Sequence, residues 1–291
     1  MITTKNEFVD ETAWERTVLA YAIPLMPLTA SGADLDLRTR NISIGLTAIV
    51  GEERVEELRN TLLPLLFGTA WKILDLALEL AFAQAGLAPQ KGSRWTIADK
   101  SQHAAAHKGS LQGLSTETEV WPALGSLYTQ TVEIRHALVH RRVRVDPSTR
   151  ELTAYDSNGV ELLPLSYDEQ MAFCQLAQRV GQAITEGRLR PRIEADLRAQ
   201  LAALQRHHKG TMPLNASNGP PVRVIDALPE SGQIDVPHLL RQARATFPGA
   251  QYVDVKLELE DGRRLVGELE SAPQGIVTVD PEAPPDWLSF E

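Results

Sequence analysis

The sequence contains a single cysteine, Cys174, among its 291 residues. One cysteine excludes an internal disulfide and a cysteine-rich zinc site. The N-terminus also lacks the succession of basic, apolar and small residues that is typical of a secretory signal peptide. These absences predict a protein of a reducing compartment, and we expect a cytoplasmic location.

The sequence also lacks a long apolar run that is free of charge. Its most hydrophobic stretch, residues 62–88, contains Lys72, Asp75 and Glu79. Their spacing of three and four residues places all three charges on one side of a helix. A helix of this kind is typical of a partly buried position in a folded domain and not of a lipid-facing span. We therefore expect no membrane segment.

An overall positive charge is absent too, because the formal net charge is −9. This value argues against nonspecific coating of nucleic acid. The charge is uneven, since residues 222–291 hold 13 acidic and 6 basic residues (net −7), which leaves only −2 for the rest. A local basic patch can still bind a phosphate backbone on an acidic chain. Five arginines lie within residues 135–150, with Asp146 as the only acid: Arg135, Arg141, Arg142, Arg144 and Arg150.

Composition and periodicity divide the chain into four segments. They are an N-terminal helical extension (1–50), a helical domain (51–187), a basic helix with a linker (188–221) and a small acidic α/β domain (222–291). The linker is rich in Pro, Gly, Asn and Ser, which favour a connection without regular structure. The predicted fold class is mostly α, a helical bundle with a small β-hairpin followed by a small α/β C-terminal domain.

Hydrophobic periodicity and turn residues predict the individual elements. Ser166 and Glu169 form a predicted capping box, Pro64 predicts a kink or a fresh start in a long helix, and we expect solvated side chains at His207 and His208. The expected helices cover residues 11–22, 41–50, 52–86, 95–107, 118–141, 166–185, 188–209 and 236–246. The expected strands cover residues 143–145, 151–155, 222–226, 252–260, 264–270 and 276–279.

The predicted helix at residues 118–141 carries a group of ionisable side chains. At about 100° per residue, His136 and His140 project together, roughly opposite the core stripe. Arg135 lies between the core stripe and the two histidines on the helix surface, and its long side chain can swing toward the histidines. Spare apolar surface beside ionisable groups is what a site shared between subunits requires. The core stripe consists of Val120, Leu124, Leu127, Ile134 and Leu138, and the spare surface of Trp121, Tyr128, Val132 and Val139.

One pattern in this helix resembles the signature of the HEPN superfamily. It consists of an arginine, a polar residue, three further residues and a histidine, on a late helix of a helical domain. In this chain the pattern is Arg135, His136 and His140, followed by Arg141 and Arg142. The long upstream helix, the hairpin after the motif and the helix that returns after it extend the resemblance over the helical domain.

The resemblance implies a metal-independent endoribonuclease for single-stranded RNA. It implies a homodimer in which two motif helices form one composite cleft, and no cofactor, because the RNA 2′-hydroxyl is the nucleophile and the products carry 2′,3′-cyclic phosphate and 5′-hydroxyl ends. The implied catalytic residues are Arg135, which stabilises the transition state, His140 as general base or acid, and His136, which orients the phosphate or shares proton transfer. The implied setting is a prokaryotic toxin or antiviral defence system.

Five further residues are expected to bind RNA beside this centre: Arg141, Arg142, Arg144, His103 and His107. The acidity of residues 222–291 argues against direct RNA binding there, so we expect this domain to contact a protein partner.

Two other functions remain open from the residues alone. A HEPN-like bundle that binds without cutting would act as an assembly or regulatory partner. A metal site is the other, because His103 with His107, and His136 with His140, have the spacing of ligands on helices. Against a metal site, no acidic residue occupies an obvious third ligand position.

Overall fold

The computed structural model describes residues 1–25, 33–36, 41–44, 52–89, 94–106, 120–187, 189–208, 222–229, 231–248 and 252–290. The chain divides into two compact units. The helical unit comprises Met1–Arg188 and Leu197–Leu214, and the C-terminal unit comprises Leu189–Asp196 and Asn215–Glu291. Within the described ranges, no helix is both long and apolar enough to cross a membrane.

The helical unit is mostly α-helical, as the sequence predicts. One helix, Pro191–Ala203, has residues in both units. The helices are α1 (Lys5–Glu11), α2 (Ala13–Leu25), α3 (Glu52–Gln84), α4 (Ile97–Ala106), α5 (Val120–Val139), α6 (Tyr167–Glu186) and α7 (Pro191–Ala203). The strands of this unit are β1 (Ala33–Asp36), β2 (Asn41–Ile44), β3 (Val143–Val145) and β4 (Leu152–Ala154).

Most predicted elements are confirmed to within a few residues, with differences near the N-terminus. The predicted helix at residues 11–22 is confirmed as α2, whereas α1, which is capped by Thr4 and Glu7, precedes it and is not predicted. The predicted helix at residues 41–50 is wrong where it is described, because β2 pairs antiparallel with β1. Alternating polar and apolar residues in β2 fit a strand better than a helix. Residues 45–50 lie outside the described residues, and α3 continues through Pro64 as one helix.

The core of the helical unit forms around α3. This helix packs against α2, α5 and α6, and the rings of Phe67 and Phe173 stack with centroids 4.5 Å apart. The Ser166–Glu169 capping box at the start of α6 is confirmed. The Phe67 and Phe173 side chains are fully buried, so each contributes about 1.5–3 kcal/mol of hydrophobic stabilisation.

The apolar side chains of α5 are more buried than the helical projection predicts. Trp121 and Tyr128, which were expected on a spare surface, are buried inside the unit. Val132 is half-buried, and Val139 is 59% exposed. The predicted core stripe is buried except for Leu138, which is half-buried. The free apolar surface at this helix is therefore smaller than expected and centred on Val139.

The C-terminal unit is a small α/β fold. Its elements are β5 (Val222–Ala227), β6 (Gln233–Asp235), α8 (Val236–Thr246), β7 (Val253–Glu258), β8 (Arg264–Glu268), β9 (Ile276–Thr278) and β10 (Leu288–Phe290). The main sheet has the order β10-β8-β7-β5, in which β5 and β7 are parallel and the other neighbours antiparallel. The sequence predicts the helix at its observed bounds but misses β6 and β10, which have three residues each and little periodicity.

Candidate functional site

The predicted motif lies at the C-terminal end of α5. Arg135 and His136 are on its last two turns, and His140 follows directly after Val139, the last helical residue. The Arg141 N–H donates to the Leu138 carbonyl (3.1 Å), and the next residue's N–H donates to the Ala137 carbonyl (2.7 Å). Arg141 has a φ of 56°. These features define a Schellman motif, a left-handed turn that ends a helix.

Arg135 rests on an aromatic platform. Its Cζ lies 5.5 Å from the centroid of the Trp71 ring, within the range of a cation–π contact. The Trp71 Nε1–H donates to Thr131 Oγ1 (3.2 Å), and its ring stacks on Tyr128 with centroids 4.7 Å apart and planes 24° apart. Among the described residues, no carboxylate lies within ion-pair distance of the Arg135 guanidinium, so its charge is not neutralised by an acid.

A buried polar cluster, here called the Lys100 network, supports the stacked rings of Trp71 and Tyr128. It consists of Lys100, Asp75, Glu79 and Tyr128. Lys100 Nζ contacts Asp75 Oδ2 (2.6 Å) and Glu79 Oε1 (2.9 Å), and the Tyr128 hydroxyl donates to Asp75 Oδ1 (2.6 Å). The other Glu79 oxygen accepts from the Ile2 N–H (3.0 Å). Burial, followed by the charge of Asp75, raises the pKa of Tyr128 well above its ordinary value, so the phenol stays protonated and holds its hydrogen bond.

His136 and His140 differ in exposure. His136 is half-buried, whereas His140 is exposed. In the described part of the chain, no hydrogen bond joins Arg135 to either histidine. Five residues of helix correspond to a rise of about 7.5 Å, and the Arg135 guanidinium is directed toward Trp71. A single chain therefore presents Arg135 and His140 as two separate groups on one helix end.

Three arginines follow the motif directly: Arg141, Arg142 and Arg144. Arg141 and Arg144 are exposed, and neither is paired with a carboxylate of the described residues. Arg142 is half-buried, and within the described ranges its Nη1 has no hydrogen-bond partner. By contrast, Arg206 binds Glu169 (2.7 Å). The end of α5 and the start of the hairpin therefore carry cationic groups that form no ion pair with a carboxylate of the described residues.

Two predicted RNA-binding residues remain, His103 and His107. The His103 ring packs edge-on against Trp95 (centroids 5.3 Å apart) and lies 5.8 Å from Phe82. His103 Nε2 is buried without a hydrogen-bond partner in the described part of the chain. His107 lies outside the described residues. Where side chains are described, no three His, Cys, Asp or Glu residues converge as metal ligands.

A second polar cluster corrects the prediction for His207 and His208. Both are buried, at 3% and 5% exposure, and not solvated. His207 Nε2 lies 3.3 Å from Glu169 Oε2, and burial lowers the pKa of His207. Burial alone would raise the pKa of Glu169, but hydrogen bonds from Arg206 and the Ser166 N–H outweigh it and lower this pKa to about 2. Glu169 is therefore a charged anchor for the segment after α7, which the capping box alone does not reveal.

The motif lies outside two cavities of the structure. One, of about 620 Å³, lies between α2 and α6 and is lined by Arg16, Tyr21 and Gln182, among others. The other, of about 390 Å³, lies in the C-terminal unit beside Asp261 and Arg263. Neither is lined by motif residues, so a ligand of the motif would meet an open helix end rather than one of these pockets.

Comparisons with family models, curated proteins and solved structures find no match for this chain. Its function therefore has to be inferred from its own side chains.

Proposed function

We propose that the C-terminal end of α5 is half of a metal-independent endoribonuclease centre of the HEPN type, completed by the same helix end of a second copy. The observation that carries this proposal is the way in which the Arg135 guanidinium is held. Its guanidinium rests on Trp71 with no carboxylate partner among the described residues, while His140 is exposed at the end of the same helix. A cation of this kind is available to phosphate, and an exposed imidazole near neutral pH is available for proton transfer.

The proposed chemistry uses these two groups on one phosphodiester. His140 accepts the proton of the RNA 2′-hydroxyl, and the 2′-oxygen forms a bond to the adjacent phosphorus. The bond from phosphorus to the 5′-oxygen breaks, and an imidazolium returns a proton to that oxygen. Arg135 stabilises the extra negative charge of the pentavalent transition state. His136, half-buried beside Arg135, orients the phosphate.

A second copy is part of the proposal for a geometric reason. In one chain, the Arg135 guanidinium and the His140 imidazole are not joined by a described hydrogen bond. Val139, exposed at 59%, lies directly before His140 and supplies apolar surface for a symmetric contact. A twofold contact between two such helix ends would bring two guanidinium and two imidazole groups around one substrate.

The exposed arginines after α5 are proposed to bind RNA backbone phosphates, which gives affinity without reading sequence. Arg141 and Arg144 are the best placed, since both are exposed. His103 is left out, because its ring packs among Trp95 and Phe82.

A second candidate is an RNA-binding module that does not cut. The separation of Arg135 from His140 within one chain favours it, since cleavage requires both groups at one phosphate.

The test is an assay of the full chain with single-stranded RNA in the presence of EDTA. We expect cleavage without metal, products with 2′,3′-cyclic phosphate and 5′-hydroxyl ends, and no cleavage at a nucleotide whose 2′-hydroxyl is replaced by hydrogen. Binding of RNA without any cleavage would support the second candidate. Cleavage that requires added metal would overturn the proposed mechanism.

Arg141→Gly should stabilise the protein and weaken RNA binding at the same time. Arg141 occupies the left-handed position that glycine prefers, so glycine there should raise the free energy of unfolding by about 1 kcal/mol. Loss of one phosphate contact should reduce the slope of log affinity against log salt by about 1. The measurements are urea unfolding and RNA titrations at several salt concentrations.

The matched control for this substitution is at the end of α3. Gly86 has the same left-handed conformation (φ 72°), and its N–H donates to the Ala83 carbonyl in the same pattern, followed by Leu87 to Phe82. Gly86→Ala should lower stability by about 1 kcal/mol and leave RNA affinity unchanged. Unchanged RNA affinity in Arg141→Gly would exclude Arg141 from the RNA interface.

A further inference from the structure

Two ways of holding an arginine can be compared among the described residues of this chain. Arg206 is held by the Glu169 carboxylate (2.7 Å), and Arg192 is held by Asp254. A carboxylate fixes the guanidinium but also neutralises much of its charge. Arg135 is instead held over the Trp71 ring. An aromatic ring attracts a cation through its quadrupole and carries no formal charge.

This difference matters for a residue that must bind phosphate. A guanidinium paired with a carboxylate has to leave that partner before it can bind an anion. A guanidinium over an indole keeps its full charge and its N–H groups for the anion. The cost of ordering the long arginine side chain is also met before RNA binds.

Trp71 is itself held in place by burial, by one hydrogen bond and by one ring-stacking contact. It is 3% exposed, its Nε1–H donates to Thr131 Oγ1, and its ring stacks on Tyr128. Tyr128 is in turn fixed by its hydroxyl bond to Asp75, which Lys100 holds from α4. Contacts from α5, which side chains of α3 and α4 hold in turn, therefore determine where the indole ring lies.

We propose that Trp71 is a positioning residue for RNA binding and cleavage, which orients the Arg135 guanidinium toward the phosphate without neutralising it. This proposal rests on the proposed function, because Arg135 is the phosphate-binding group of that site. Trp71 acts through Arg135 and does not touch RNA.

The experiment is a double-mutant cycle on the full chain. Its main readout is the affinity for an RNA whose scissile nucleotide lacks the 2′-hydroxyl, so that binding is measured without cleavage. We expect Trp71→Leu to weaken binding by about tenfold, which lies between the values for exposed and for desolvated cation–π contacts. Trp71→Phe, which keeps an aromatic face, should weaken it by about threefold or less. In an Arg135→Ala background, Trp71→Leu should have no further effect, because the residue through which Trp71 acts is gone.

Rate measurements and a second pair of variants complete the test. With cleavable RNA, Trp71→Leu should lower kcat more than Trp71→Phe at equal fold stability. If Trp71→Leu does not fold, Thr131→Val, which removes the acceptor of the indole N–H, replaces it, with Thr131→Ser as the control that keeps the acceptor.

The outcomes separate this proposal from the proposed function. Equal weakening by Trp71→Leu in the presence and absence of Arg135 would show a general structural role and overturn the proposal. Unchanged affinity in Trp71→Leu would overturn it as well. If the wild type binds RNA but never cleaves it, the proposed function fails, while the affinity cycle still tests the positioning role. Absence of RNA binding by the wild type would overturn both.

Discussion

Arg135→Ala and His140→Ala should each lower the rate of RNA cleavage by about a hundredfold to ten-thousandfold. The first removes the charge that stabilises the pentavalent transition state, and the second removes the group that moves the 2′-hydroxyl proton. Neither side chain belongs to the fully buried core, so both variants should keep their fold. The measurement is single-turnover cleavage of RNA in EDTA, with circular dichroism and size-exclusion chromatography to verify the fold and the oligomeric state.

Conservative and remote substitutions serve as controls for this prediction. Arg135→Lys keeps a positive charge but loses the planar guanidinium, so its activity should lie between the wild type and Arg135→Ala. His238→Ala and Arg244→Ala change an exposed histidine and a largely exposed arginine of the C-terminal unit and should cleave at the wild-type rate. Full activity in either Arg135→Ala or His140→Ala would contradict the proposed function.

Lys100→Met should destabilise the helical unit by about 3–5 kcal/mol. Lys100 is 3% exposed and binds Asp75 and Glu79 together. Methionine has a similar length but no charge, so both carboxylates would remain in a largely buried site without a cation. The measurement is urea unfolding followed by the circular dichroism of the helices.

The helix α3, which carries Asp75 and Glu79, also supplies the control for Lys100. Lys72 pairs with Glu15 on α2, and its side chain is 49% exposed. Lys72→Met should therefore lower the free energy of unfolding by less than Lys100→Met does, because half of the Lys72 side chain is already in water and only one carboxylate, that of Glu15, loses its cation. Adding Glu79→Gln to Lys100→Met should recover part of the loss, since it removes one uncompensated charge. A loss below about 1 kcal/mol in Lys100→Met would contradict a stabilising role for the network.

Elements with strong local signals are predicted correctly from the sequence. The helix Val236–Thr246 and the strand Val143–Val145 have the bounds that periodicity predicts. The Ser166–Glu169 capping box forms as expected, because its hydrogen bonds join residues three positions apart. The sequence wrongly predicts a helix at the strand Asn41–Ile44, since four residues carry little periodicity and the hydrogen bonds of this strand are made with β1.

The features of the candidate site also divide into those that the sequence predicts and those that it does not. The sequence is sufficient to place Arg135, His136 and His140 at the end of a helix, because helix periodicity and a basic hairpin are local features. It does not predict that Trp71, 64 positions before Arg135, lies beneath the guanidinium. It also does not predict that Lys100 joins Asp75 and Glu79, although both acids were recognised as one face of a helix.

Local patterns in the sequence are sufficient for the mostly helical class, the bounds of most elements and the helix that carries the basic motif, because those features depend on neighbours within about four residues. The burial of each side chain and the partner of each charged group follow from the packing of the helices. His207 and His208 are polar in sequence yet buried, and Trp121 and Tyr128 are packed inside the unit instead of forming a free surface. Burial and pairing depend on contacts between residues far apart in the chain, and such contacts exist only after the helices have packed.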